Sequence, residues 1–257
     1  MLDLFDTHCH LDLPVFDADR KALLEKCASK GINNILIPAV TKESWRILRM
    51  HVALNKPCHA ALGLHPMFMD QHEEQHLDDL DMALGLPPVV AVGEIGLDFY
   101  ESRDNQEKQE QFFRAQLKIA RKHKLPVILH VRKAHEEVLK HLSMMQFSEG
   151  GIVHAYNGSL QQAKRYIEMG FKLGFGGTMT FERSVKIREL AKMLPLEAIV
   201  LETDAPDMVP STSQSERNTP VHLLDNFKAL CELRDESPAD IAKITTANAR
   251  SVLRMSE

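Results

Sequence analysis

No stretch of eighteen consecutive apolar residues occurs in this 257-residue chain, so no membrane-spanning helix is expected. Its four cysteines, Cys9, Cys27, Cys58 and Cys231, form no Cys-x-x-Cys pair. That excludes a zinc knuckle and a thioredoxin-like redox site, and scattered cysteines of this kind read as reduced thiols. No Lys/Arg block stands out and the formal net charge is -5. A strong, sequence-independent grip on duplex DNA through a basic face is therefore not expected. A nucleic-acid strand gripped locally at a pocket stays open. The glycines at 93, 96, 174, 176 and 177 build no GxGxxG before a helix, which removes the dinucleotide fingerprint. The opening residues MLDLFDTHCH carry acids and histidines where a secretory signal needs a basic start and an apolar stretch. The expectation is a cytoplasmic protein.

What is present is an alternation. Eight short apolar runs predict strands at Leu2–Thr7, Asn34–Ala39, His59–Leu64, Val89–Ile95, Val127–Val131, Gly151–Ala155, Phe171–Gly176 and Ala198–Thr203. Continuous apolar runs of this length suit strands buried on both faces. Amphipathic stretches separate them, among them Ala18–Ser29, Gln106–His123, Leu160–Met169 and Val185–Leu194, followed by Val221–Leu233 and Pro238–Leu253. Eight strand–helix repeats with no break for a second domain point to a closed (β/α)8 barrel, an α/β fold of about 250 residues. Residues 1–257 read as one domain, with one long polar loop at Met208–Pro220. A chain of this size buries enough core to need no disulfide.

The polar residues fall at the strand ends, where α/β barrels place their chemistry. Strand one ends in Thr7-His8-Cys9-His10, strand three in Gly63-Leu64-His65-Pro66 and strand four in Gly93-Glu94-Ile95-Gly96-Leu97-Asp98. Strand five ends in His130-Val131-Arg132, strand six in His154, and strand eight in Glu202-Thr203-Asp204. Residues two apart in an extended chain share a face, so His8 and His10 can reach one ion while Cys9 packs outward. One catalytic ion rarely takes six protein ligands, because it needs an open position for water. Two divalent ions sharing a bridging carboxylate fit better. The reading is His8, His10, Glu94 and Asp204 on one ion, and Glu94, His130 and His154 on the other. Imidazole with carboxylate suits zinc, manganese or cobalt, with magnesium a poorer match.

Such a pair of ions lowers the pKa of a bound water and clamps attacking and leaving oxygens. The reaction is then hydrolysis of a phosphoester, with Glu94 and Asp204 as the catalytic carboxylates and Asp204 orienting water. Glu202 reads as a buttress. His65 is assigned to substrate rather than metal, and Arg132 to a phosphate oxygen. Tyr156, Asn157, Arg217 and Asn218 are weaker mouth candidates, and Tyr156, Phe68 and Phe99 are candidate stacking aromatics. His51, His72, His76, His123, His135, His141 and His222 fall on helical or polar stretches and read as solvated; His59 begins its strand and belongs to the opposite, stabilising face. Two other readings compete. One is an amidohydrolase-type hydrolase of a small ester or amide, a plan that often bridges its ions with a carboxylated lysine where this chain offers Glu94. The other is a non-catalytic metal-binding barrel.

Taken in order, DTHCH, GLHP, GEIGLD, Pro126 through His130 with Arg132, His154 and ETDAP closely resemble the TatD family of metal-dependent deoxyribonucleases over nearly the whole chain. The resemblance implies a TIM barrel, a binuclear metal site and hydrolysis of ester bonds, often at the end of a nucleic-acid strand. By motif, the family's ligands fall on His8, His10, Glu94, His130, His154 and Asp204. One segment departs from the family: Ala155-Tyr156-Asn157-Gly158-Ser159 stands where members often carry Phe-Thr/Ser-Gly.

Overall fold

Runs of Ile, Val, Leu and Ala leave no polar face to show to water, so they pair stably only where other elements cover both sides. The structure, a computed structural model describing residues 2–86 and 88–255, builds them into one sheet of eight parallel strands. The strands are β1 (Leu4–Asp6), β2 (Ile32–Pro38), β3 (Cys58–Leu62), β4 (Ala91–Asp98), β5 (Val127–Arg132), β6 (Gly151–Val153), β7 (Phe171–Phe175) and β8 (Ile199–Leu201). Each pairs with its neighbour in sequence. Between and after them run the helices α1 (Arg20–Ser29), α2 (Trp45–Leu54), α3 (Gln75–Leu84), α4 (Gln106–His123), α5 (His135–Met144), α6 (Leu160–Glu168), α7 (Val185–Met193), α8 (Leu223–Leu233) and α9 (Pro238–Val252). Among the described residues no helix is long and apolar enough to cross a membrane.

The barrel closes beyond the regular ends of its first and last strands. Thr7 N–H donates to Leu201 O (3.0 Å), Asp204 N–H to His8 O (2.8 Å) and His10 N–H to Ala205 O (2.8 Å). Cys9 and Ala205 form an isolated parallel bridge.

Two apolar layers follow from the two-residue period of the strands. Phe5, Leu36, Ala61, Ala91, Ile128, Ile152 and Val200 point into the lumen and pack on Ala249, Val252 and Leu253 of the α9 end, which floors it. Their neighbours Leu4, Ile35, Leu62, Val92, Leu129, Val153 and Leu201 point outward under the helices. One period above the lumen floor, β5 delivers His130, the β6 end His154 and the β8 end Glu202.

β4 lies at Ala91–Asp98, later than the expected Val89–Ile95. An irregularity in its pairing with β5 falls between Val92 and Ile95. The extra residue rephases the strand, so Glu94 faces the lumen as Ala91 does, instead of pointing outward. β6 and β8 stop short of the expected Ala155 and Thr203. Beyond them Ala155 (φ 43°) and Asp204 (φ 57°) take left-handed backbone, which ends a ladder and re-aims the chain. Expected helices keep their places to within about two residues, the usual uncertainty of helix ends. α2, α3 and α5 lie in stretches for which the sequence pattern set no bounds.

Candidate metal centre

β1 carries His8 and His10 past its last ladder residue, and Cys9 between them is fully buried on the helix side. The imidazoles meet at the lumen mouth: His8 Nε2 lies 3.3 Å from His10 Nε2. Glu94 Oε2 is 3.1 Å from His8 Nε2 and 3.7 Å from His10 Nε2. Asp204 Oδ1 is 3.7 Å from both. Ligand atoms arranged tetrahedrally about zinc at ~2.1 Å are about 3.4 Å apart. The five separations above are of that order, although the donors mutually within 4.8 Å here are those of His8, His10 and Asp204, without Glu94.

The other oxygen of Glu94 faces a different set. Glu94 Oε1 lies 3.1 Å from His130 Nδ1 and 3.3 Å from His65 Nε2. The His65 and His130 rings are 4.4 Å apart, centre to centre. His154 stands away from this side. Its ring stacks on His8 at 3.6 Å, with Nε2 3.5 Å from Asp204 Oδ2 and Nδ1 3.0 Å from Glu202 Oε1. The grouping thus differs from the expected one: His130 is joined on Glu94 by His65, while His154 gathers with His8, Asp204 and Glu202. Strand order in sequence places His154 beside His130. It cannot show that the mouth folds His154 over His8.

Among the described residues, three His/carboxylate groups have donor atoms mutually within 4.8 Å: His8–His10–Asp204, His8–His154–Glu202 and His65–Glu94–His130. Buried polar atoms are normally hydrogen-bonded. Here His8 Nδ1 and Glu202 Oε2 are buried without a hydrogen-bond partner, and His154 Nδ1 has only the Glu202 carboxylate beside it. Imidazoles and carboxylates packed in this way are the donor set of a divalent cation, and the residues fit one.

Burial alone would raise the Glu94 carboxyl, but the His65 and His8 rings and the bonds from His130 and His65 hold it well below the usual carboxylate range. Asp204 is likewise drawn down, to about 2, by His154, His8 and His10 against the effect of burial. Burial lowers His65 to about 4. Burial would also lower His130, yet its bonds to Asp98 and Glu94 raise it to about 9. His154, between Glu202 and Asp204, is pushed well above the imidazole range despite its burial.

The supporting residues were mostly not singled out by their sequence pattern. Asp98 Oδ2 holds His130 Nε2 at 2.8 Å, while its Oδ1 accepts from Tyr100 N–H at 2.9 Å. Buried Asp6 accepts from Thr203 N–H (2.9 Å) and Thr203 Oγ1 (2.6 Å), tying the two ends of the seam. Glu202 accepts from Ala155 N–H at 2.7 Å, and Gly174 leaves room for it, since a Cβ there would overlap the carboxylate. Two glutamines of α4, seven residues apart on one face, act as substitute strand. Gln116 bonds Leu64 N–H (2.8 Å) and Leu64 O (3.1 Å), and Gln109 does the same at Asp98 (2.8 and 2.9 Å). Asn218 Nδ2 donates to Thr203 O (2.8 Å) and Asp207 O (2.7 Å), pinning the loop after β8.

Several minor expectations are corrected. His72, His76, His135 and His141 are buried, not solvated. His72 Nε2 meets His65 O at 3.0 Å, and His135 lies between Tyr166 and Asn157. Asn218 is buried bracing rather than mouth lining, and Arg217 pairs with Asp19 and stacks over Phe16. Tyr156 and Phe99 are buried in packing and offer no stacking face. His59 sits low in β3, with Nε2 2.9 Å from Asn34 Oδ1.

A mouth cavity of about 570 Å³ opens over the site, lined by Met67, His130, Arg132, His154, Asn157 and Asp204 among others. The larger hollow, about 910 Å³, lies at the opposite end beside α9; Arg250 there is paired with Asp3 (3.0 Å) and no His of the cluster reaches it.

An eight-stranded parallel barrel with histidines and carboxylates converging at its carboxyl rim is the plan of a metal-dependent hydrolase. The TatD related DNase family model matches residues 5–254, and the chain belongs to that family. It is similar to the uncharacterized metal-dependent hydrolase YjjV of Escherichia coli K12, 40% identical over 252 residues, which are 97% of each chain. The crystal structure of YjjV superposes with a TM-score of 0.93 over 98% of both chains. The 3′-5′ ssDNA/RNA exonuclease TatD of Salmonella typhimurium is 32% identical over 260 residues, 98% of this chain and 99% of that one.

Proposed function

We propose that this TatD-family hydrolase is a phosphodiesterase acting on the end of a single-stranded nucleic acid, with two divalent ions held around Glu94. The observation carrying this reading is that each oxygen of one buried carboxylate faces its own set of imidazoles, His8 and His10 on one side and His65 and His130 on the other. His8, His10, Glu94 and Asp204 would hold one ion; Glu94, His130 and His65 the other, with His154 closing the mouth beside Asp204. When bound, such ions supply a water acidic enough to deprotonate near neutrality and neutralise charge on the phosphoryl oxygens.

The chain's own residues do the rest. Asp204, kept ionised by the surrounding imidazoles, is an acceptor that can orient the O–H of an attacking water. Arg132 faces the same mouth, stacked on Tyr100, and among the described residues makes no ion pair, so its guanidinium edge can meet a phosphate oxygen. Glu202 behind His154 and Asp98 behind His130 fix ring orientation. The test is turnover of bis(p-nitrophenyl) phosphate and of 5′-labelled single-stranded DNA and RNA by protein loaded with zinc or manganese. An Asp204→Asn control guards against contaminating nuclease. Cleavage of the bis-ester and shortening of a strand from one end are expected, both abolished by chelation. Turnover of small amides with no phosphodiesterase activity would reject the reading.

A further inference from the structure

Beyond the mouth lies a second groove, about 550 Å³, between the loops that follow β4, β5 and β6. It shares Arg132 and Asn157 with the mouth cavity, so the two are continuous at those residues. Its wall carries Tyr100, which is 55% exposed although it is a large aromatic. The Arg132 guanidinium covers one face of that ring at 3.6 Å and leaves the rest open.

The charges in this groove are unevenly committed. Glu136 pairs outward with Arg165 (2.9 Å), and Glu137 with Arg103 (2.9 Å). Among the described residues, Arg132, Lys133 and Lys186 make no ion pair; Lys186 Nζ donates to the Asn157 carbonyl at 2.7 Å. Three cations beside an open aromatic face are left to meet an anion. The ring is also placed by the metal centre. Asp98, which holds His130, accepts the Tyr100 N–H as well, and Phe99 N–H donates to Arg132 O at 2.9 Å. A base stacked on an aromatic and a phosphate set against lysine and arginine are the usual means of holding a single strand.

We propose that this groove seats the nucleotide adjacent to the one being released, its base on Tyr100 and its phosphate against Arg132, Lys133 and Lys186. This rests on the nuclease reading above and gives it a substrate class: strands of at least two nucleotides. Arg132 stands at the boundary between the released unit and the retained strand. Tyr156, one of the candidate stacking aromatics, is buried with its hydroxyl donating to Ser159 O and cannot serve.

The full chain is tested in two ways. Binding is read, without turnover, as fluorescence anisotropy of 5′-fluorescein tetrathymidylate in EDTA. Turnover is read as the ratio of kcat/KM on tetrathymidylate to that on bis(p-nitrophenyl) phosphate, with manganese. Tyr100→Ala is expected to weaken binding roughly tenfold and lower the ratio similarly, while Tyr100→Phe restores both. Lys186→Ala is expected to reduce the slope of log Kd against log salt by about 0.7, one phosphate contact on a single strand. Wild-type binding and salt slope in both alanine variants would overturn the groove and leave the phosphodiesterase intact. No binding of the oligonucleotide by the wild type also overturns it, and bis-ester turnover then judges the hydrolase reading separately.

Discussion

In the proposed two-ion arrangement Glu94 joins the two sites, since its oxygens divide between two groups of histidines. Glu94→Ala is expected to strip metal from both groups, and His65→Ala from one, as read by metal analysis of the dialysed proteins. Equal loss in the two variants would break that division. Asp98→Asn is expected to weaken metal binding or turnover by about 10–100-fold, because it frees the ring it orients. A pH dependence follows from the same residues. Without metal, His130 is raised to about 9 and His154 well above its ordinary value, so both carry protons at pH 7. A ligating histidine must be neutral, so ion binding expels protons there, and affinity rises as pH climbs toward 9. Calorimetric titration in two buffers of different ionisation enthalpy measures the release; identical heats would contradict it. Some of this was legible in the sequence. The two-residue spacing of His8 and His10 states a shared face. The inward turn of Glu94 does not appear in any periodicity, because it depends on a bulge. His65 lay one residue past its strand, with nothing in its local pattern to mark Glu94 as a neighbour.

At the scale of elements, strand order and helix faces follow from apolar periodicity, and that part of the fold could be read directly. What periodicity cannot show is polar bracing from a buried helix face. Gln109 and Gln116 fall on the buried side of α4, where helical spacing counts them only as interruptions. Each supplies a donor and an acceptor to backbone at a strand end, Gln116 to Leu64 just past β3 and Gln109 to Asp98, the last residue of β4. Gln116→Leu keeps the volume but leaves Leu64 N–H and C=O buried and unpaired, at a cost of about 2 kcal/mol. For a chain of this length that lowers the thermal midpoint by roughly 4–8 °C. A midpoint unchanged in calorimetry would show that water or relaxation satisfies those groups. The histidines misread as solvated share the same cause: His72, His76, His135 and His141 sit on amphipathic segments whose inner face admits hydrogen-bonded imidazole.

For the whole molecule, the centre is a concentration of buried ionisable groups that folding must assemble without water. A cation that binds only the folded barrel stabilises it by mass action, about 2.7 kcal/mol per site at a free concentration one hundred times Kd. Saturating zinc or manganese is therefore expected to raise the melting temperature by roughly 5–10 °C per site, with EDTA reversing the gain. Insensitivity of the midpoint to both would argue against a resident ion.

The seam between first and last strands has a further consequence. Its main-chain bonds run through His8, His10, Asp204 and Ala205, so residues of the candidate metal centre are also the stitches that shut the cylinder. A mutant library randomised across 204–206 would therefore be filtered first for residues that tolerate the left-handed backbone at 204 (φ 57°), before any change in specificity could be selected. New activities on this scaffold are more accessible through the loops after β4 and β5, where side chains can vary without unpicking the wall.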